Sequence, residues 1–143
     1  MDAQDMGDAL ERILVTEDEL SRRMRELAAQ IDADYQGKEL LLVGVLKGAL
    51  MVMADLSRNL HTPLAMDWMA VSSYGTGTKS SGVVRILKDL DADVHGRDVL
   101  IVEDIIDSGL TLSWLRENLL TRGAASVEIA AALRKPEAAK VHV

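Results

Sequence analysis

The chain contains no cysteine. Neither a disulfide framework nor a thiolate metal site is available to it, and a cytoplasmic home is the expectation. No apolar run reaches membrane-spanning length, and residues 1–7 are polar and acidic. They lack the basic and apolar regions of a signal peptide, so no membrane partner is expected. Positive charge is also short. Sixteen Lys and Arg face 23 Asp and Glu, a net charge of −7, which repels phosphate backbones and argues against nucleic-acid binding. A phosphorylated metabolite remains compatible, because a few local amides and a metal ion can hold it.

What is present suits one compact unit. Apolar residues make up 48% and charged residues 27% of 143 positions, enough to bury a core without staples. Thr16-Glu17-Asp18-Glu19 has the form of a capping box, and Leu20, Met24, Leu27 and Ile31 follow as one apolar stripe of a helix. The continuous apolar run over residues 40–46 predicts a strand buried on both faces. A helix over 49–59, a strand over 66–73 and a loop over 74–82 come next. That loop is rich in glycine and hydroxyls and is expected to be mobile. An extended stretch over 83–87 leads into a polar connector over 88–97. Residues 99–103 (strand), 111–122 (helix) and 127–133 (strand) complete the pattern. The fold class expected is α/β, doubly wound, with a mostly parallel sheet and helices on both faces. His61 and His95 fall in polar connectors and read as surface residues.

The densest chemistry lies in Val99-Leu100-Ile101-Val102-Glu103-Asp104-Ile105-Ile106-Asp107-Ser108-Gly109-Leu110-Thr111. An apolar strand delivers two adjacent carboxylates to its carboxyl end, where ligands bind in open α/β sheets. Two neighbouring buried carboxylates are costly without a cation or strong donors, so Mg²⁺ or sugar hydroxyls would offset that cost. Asp107 to Thr111 then place a glycine and two hydroxyls at a helix start, an anion cradle suited to a phosphate monoester. Taken singly, such acids and hydroxyls also serve as ordinary helix caps. Together they are hard to explain that way.

This segment resembles the phosphoribosyl diphosphate (PRPP) signature of type I phosphoribosyltransferases, and Glu-Asp-Ile-Ile-Asp-Ser-Gly resembles the hypoxanthine-guanine branch. The resemblance implies a transferase of glycosyl groups in purine salvage. It would move the 5-phosphoribosyl group from PRPP to hypoxanthine or guanine, giving IMP or GMP and diphosphate. On that resemblance Glu103 and Asp104 contact the ribose hydroxyls and hold Mg²⁺, the implied cofactor. Asp107 is the catalytic proton acceptor for purine N7, and Asp107, Ser108, Gly109, Leu110 and Thr111 bind the 5′-phosphate. Lys47 and Gly48, after the first buried strand, match the diphosphate-binding pair. Ser73 and Tyr74 match the start of an active-site lid, and Ile105 and Lys135 match the purine contacts. A lysine at 135 selects a 6-oxo group, because an exocyclic amine would set donor against donor.

The resemblance runs from about residue 14 to the end, after a segment 1–13 expected to be flexible. It implies a homo-oligomer, dimer or tetramer, at full length. Relatives of this type continue further, with an aromatic residue that stacks on the purine, whereas this chain has no phenylalanine and only 3% aromatics. The expectation is therefore a C-terminally truncated domain that binds PRPP weakly and turns over negligibly. Two other readings stand beside the enzyme. A signalling receiver domain also uses Val-Leu-Ile-Val-Glu-Asp, but places it near the start and needs an aspartate where Arg134 closes the last strand. A non-catalytic regulator could keep the fold and only sense PRPP; Asp107, needed for proton transfer and not for sensing, favours the enzyme.

Overall fold

The computed structural model describes residues 16–74, 83–106 and 109–134, with backbone only for Ser73, Tyr74, Val83, Ile106, Leu133 and Arg134. The elements in chain order are α1 (Glu17–Asp34), β1 (Leu40–Val45), α2 (Leu50–Asn59), β2 (Leu64–Tyr74), β3 (Val83–Lys88), β4 (Asp98–Ile106), α3 (Leu110–Thr121) and β5 (Ser126–Arg134). They form one five-stranded sheet in the order β3-β2-β1-β4-β5. β1 pairs in parallel with β2 and β4, and β4 with β5, as the alternation of strands and helices predicts. β3 departs from that pattern and runs antiparallel to β2. The reason is length: residues 75–82 are too few for the crossover that a parallel return requires.

Helix α1 starts where its cap predicts. Thr16 Oγ1 accepts the Glu19 N–H at 3.1 Å, and Glu17, Asp18 and Glu19 place negative charge at the positive end of the helix dipole. Met24, Ala28 and Ile31 are buried and Leu27 packs against the core. Leu20, expected on the same stripe, is 37% exposed instead. It sits in the first turn, one turn before the helix begins to contribute to the core.

All six residues of β1 are buried, and their alternation divides the interior in two. Leu40 and Leu42 join Leu100 and Val102 of β4 in a core covered by α1 and α2. Leu41, Val43 and Val45 join Val99 and Ile101 in a second core covered by α3. Each such Leu, Ile or Val contributes roughly 1.5–3 kcal/mol when fully buried. The connector after β3, read as polar, also supplies Val94 to the second core, at 1% exposure. Its course is fixed by Asp67, a buried carboxylate of β2. Asp67 accepts the N–H groups of Trp68, Asp91 and Ala92 at 2.8–3.0 Å. Asp32 does the same for the turn before β2. It accepts the amides of His61 and Thr62 and the Thr62 hydroxyl, the last at 2.6 Å. Desolvation alone would raise the Asp32 carboxyl, but these donors outweigh it and hold the group below its usual value.

Gly44 is the one residue of β1 without a side chain, and the space is taken. A Cβ there would lie 2.6 Å from Cζ3 of Trp68 and 2.9 Å from Cγ of Met53. Gly44→Ala should therefore destabilise the fold by ~1–3 kcal/mol through overpacking. Urea denaturation measures this, and an unchanged midpoint would mean that the indole moves aside freely.

Candidate active site

The sheet order creates a place for a ligand. From β1 the chain crosses through α2 to β2 on one side; from β4 it crosses through α3 to β5 on the other. Since α2 and α3 cover opposite faces, the segments leaving the carboxyl ends of β1 and β4 diverge and leave a crevice, the switch point at which such sheets bind ligands. The register sharpens it. Pairing of β1 with β4 ends at Gly44 and Val102, whereas β4 continues to Ile106 along β5. Glu103 and Asp104 thus lie within a strand longer than the expected 99–103, and they stand beyond the last residue of β1 that pairs with β4.

The turn that follows β1 comes back over this extension. Leu46 N–H donates to Met69 O at 2.8 Å, Ala49 N–H to Val45 O at 3.2 Å, and Leu50 N–H to Lys47 O at 3.2 Å. The Leu46–Lys47 peptide is cis. Gly48 then approaches Asp104 so closely that a Cβ would lie 2.8 Å from Oδ2 and 2.9 Å from Oδ1. Any larger residue would push the Asp104 carboxyl aside. The structure thus brings together Lys47, Gly48 and Asp104, which lie more than fifty positions apart in the chain.

The acids themselves are turned back onto their own strand. Asp104 N–H donates to Glu103 Oε1 at 3.0 Å, and Ile105 N–H to Asp104 Oδ1 at 2.8 Å. Burial raises the Glu103 carboxyl to about 8, and the shared hydrogen bond and the charge of Asp104 push the same way against the one backbone donor. A cation beside the pair would relieve both the desolvation and the repulsion. The donor set fits a hard divalent ion that keeps water and substrate oxygens. Among the described residues no three His, Asp or Glu converge as a closed metal cage.

Across the crevice, α3 begins at Gly109, whose φ of +83° is left-handed and suits glycine. Unlike α1, α3 has no acidic residue in its first turn, so its positive end is not neutralised from within the helix. Leu110 and Thr111 open that turn. Asp107, Ser108 and Lys135, and all but Tyr74 of the lid expected over 74–82, lie outside the described residues, and for Ser73 and Tyr74 only the backbone at the end of β2 is described. Ile105 pairs with Leu133 of β5, next to the acids. His61 and His95 are exposed, as expected. Two open clefts, of about 400 and 520 Å³, lie at the amino ends of the strands around Tyr35 and Lys38; His61 lines the second, and neither contains Lys47, Gly48, Glu103, Asp104, Ile105 or the start of α3. The carboxyl-end crevice is the stronger candidate, because that is where strand-end acids and a helix amino terminus converge. Sequence reasoning did not find the packing of Trp68 on Gly44; the glycine inside an otherwise apolar strand was its only signal.

Glu103 has a consequence for stability. Folded, it keeps its proton up to about pH 8; unfolded, it loses it near the ordinary 4.5. The unfolded state therefore binds fewer protons in that window, and this group's contribution to stability falls as pH rises through it. Glu103→Gln should flatten that decline in metal-free protein, followed by thermal melts across the window. Parallel curves for the two proteins would remove the assignment.

Over residues 14–143 the chain matches the phosphoribosyl transferase domain family. It is 51% identical over 140 residues to the hypoxanthine-guanine phosphoribosyltransferase of Mycobacterium tuberculosis, a match spanning 94% of this chain and 69% of the relative. The enzyme of that name from Bacillus subtilis is 51% identical over 134 residues, spanning 94% and 74%. Among solved structures, a hypoxanthine phosphoribosyltransferase from Staphylococcus aureus superposes with a TM-score of 0.92 at 44% identity, over 97% of this chain and 76% of that one. Because the family match takes in every described element, from α1 to β5, the chain belongs to the phosphoribosyltransferase family.

Proposed function

We infer that this chain serves purine salvage, transferring the 5-phosphoribosyl group of PRPP to hypoxanthine or guanine with release of diphosphate. The observation that carries the reading is the contact of Gly48 with Asp104 at the carboxyl ends of β1 and β4. It sets a lysine-bearing turn against an acid pair, the two parts that a sugar diphosphate needs. The names and close identity of the relatives support the choice of base.

In this reading Lys47 supplies a point charge to the diphosphate, and the Gly48 backbone lets the leaving group approach. The amides of Gly109, Leu110 and Thr111, with Asp107 and Ser108, hold the 5′-phosphate at the start of α3. Glu103 and Asp104 accept hydrogen bonds from the ribose hydroxyls and would hold Mg²⁺, which when bound neutralises charge on the departing diphosphate. Ile105 and Lys135 orient the purine, with the lysine donating to its 6-oxo group. As N9 forms its bond to C1′ and the bond from C1′ to the diphosphate oxygen breaks, Asp107 accepts the proton from N7. Ser73 and Tyr74 begin the segment that closes over the site and keeps water from the oxocarbenium-like sugar. A cytoplasmic homo-oligomer belongs to the same proposal; among the described residues no helix is long and apolar enough to cross a membrane.

Two outcomes follow. Asp107→Asn keeps shape but loses basicity, so in a chain as long as its relatives kcat should fall by ~10²–10⁴ while PRPP affinity changes little. Diphosphate release measures this, and an unchanged kcat would take Asp107 out of the chemistry. Glu103→Gln with Asp104→Asn should make PRPP binding far less dependent on Mg²⁺ in calorimetry. An undiminished Mg²⁺ effect would mean that diphosphate and water hold the ion alone.

A further inference from the structure

We propose that Trp68 is a positioning residue for the diphosphate-binding turn: its indole, laid across Gly44 and against Met53, sets where Lys47 and Gly48 stand relative to Asp104. The inference rests on the reading of that turn as the diphosphate site. Trp68 is Gly44's partner in the register of β1 and β2, and its ring crosses over the neighbouring strand. The missing Cβ at 44 is what lets it do so, since that atom would lie 2.6 Å from Cζ3 and 2.7 Å from Cε3. On its other side the space is bounded by Met53, whose N–H donates to Ala49 O at 2.8 Å. Ala49 is fully buried and follows Gly48 directly. The ring is therefore wedged between the last turn of β1 and the first turn of α2, the two anchors of the segment that carries Lys47.

The strand that carries the ring is itself tied. The Trp68 backbone N–H donates to the buried Asp67 carboxylate at 2.8 Å, and the Trp68 backbone carbonyl accepts from Lys88 Nζ at 3.2 Å. One residue further on, Met69 O accepts the N–H of Leu46, so β2 holds the start of the turn by backbone and the start of α2 by the indole. A Cβ at Gly48 would lie 2.8–2.9 Å from the Asp104 carboxyl, so Gly48 stands close against it. A shift of α2 away from β2 would change that approach.

The test is calorimetry of inorganic diphosphate with Mg²⁺, and of PRPP with Mg²⁺, on the chain as it stands. Trp68→Ala should weaken both by ~10-fold, the scale of a sub-ångström to ångström misplacement, and Trp68→Phe should restore most of the loss. Leu119→Ala, which opens a cavity in the opposite core, should lower stability and leave the affinities in place. A second readout leaves Trp68 intact. In a Trp114→Phe chain it is the sole tryptophan, and its emission should change as diphosphate saturates the site. If Lys47→Ala weakens binding while Trp68→Ala does not, or if the Trp68 emission stays constant at saturation, the positioning role is overturned and the site reading stands. If Lys47→Ala binds diphosphate as the parent chain does, the reading of the turn fails and the role of Trp68 fails with it.

Discussion

Everything at the carboxyl end of the sheet depends on how a strand can carry two adjacent carboxylates into a partly buried position. Such a pair repels itself and resists ionisation, which is visible in the raised Glu103 carboxyl. The described residues do not relieve this internally. They supply one backbone donor to each acid and bring the bare backbone of Gly48 against Asp104. The demand that remains is for cationic or hydroxyl partners, which on the proposed function PRPP with a divalent ion would supply.

The rest of the structure makes that placement rigid. β1 and β4 are buried on both faces, so neither can shift register without turning an apolar set toward solvent. β4 runs on past β1 along β5, which places the acids beyond one neighbour while keeping them bonded to another. Asp32 and Asp67 tie the connectors that start β2 and lead into β4. The carboxyl ends of β1 and β4 are therefore held by two long hydrophobic strands, with two carboxylates tying connectors elsewhere in the described residues.

Much of this was legible in the sequence, and the reasons differ by element. The apolar runs of β1 and β4 identify themselves because nothing but a doubly covered strand tolerates them. The segment from Glu103 to Thr111 identifies the chemistry because acids, glycine and hydroxyls occur there in one reading order. The approach of Gly48 to Asp104 is a contact across more than fifty residues, and only the resemblance to a known family suggested it. The antiparallel course of β3 follows from a short connection, a geometric fact that apolar patterning does not encode. Leu20 misleads because periodicity says which side of a helix is apolar and not where the helix leaves the core. The roles of Asp32, Asp67 and Trp68 rest on side chains reaching distant backbone or a neighbouring strand, which no local pattern reveals.

On the proposed function, PRPP binds in the crevice between the carboxyl ends of β1 and β4. Amide resonances of the chain, followed by NMR as PRPP and Mg²⁺ are added, test it most directly. Gly48, Asp104, Gly109, Leu110 and Thr111 should shift first and furthest, while Tyr35, Lys38 and His61 at the amino-end clefts stay in place. Shifts confined to the amino-end clefts, or none at saturating PRPP, would contradict it.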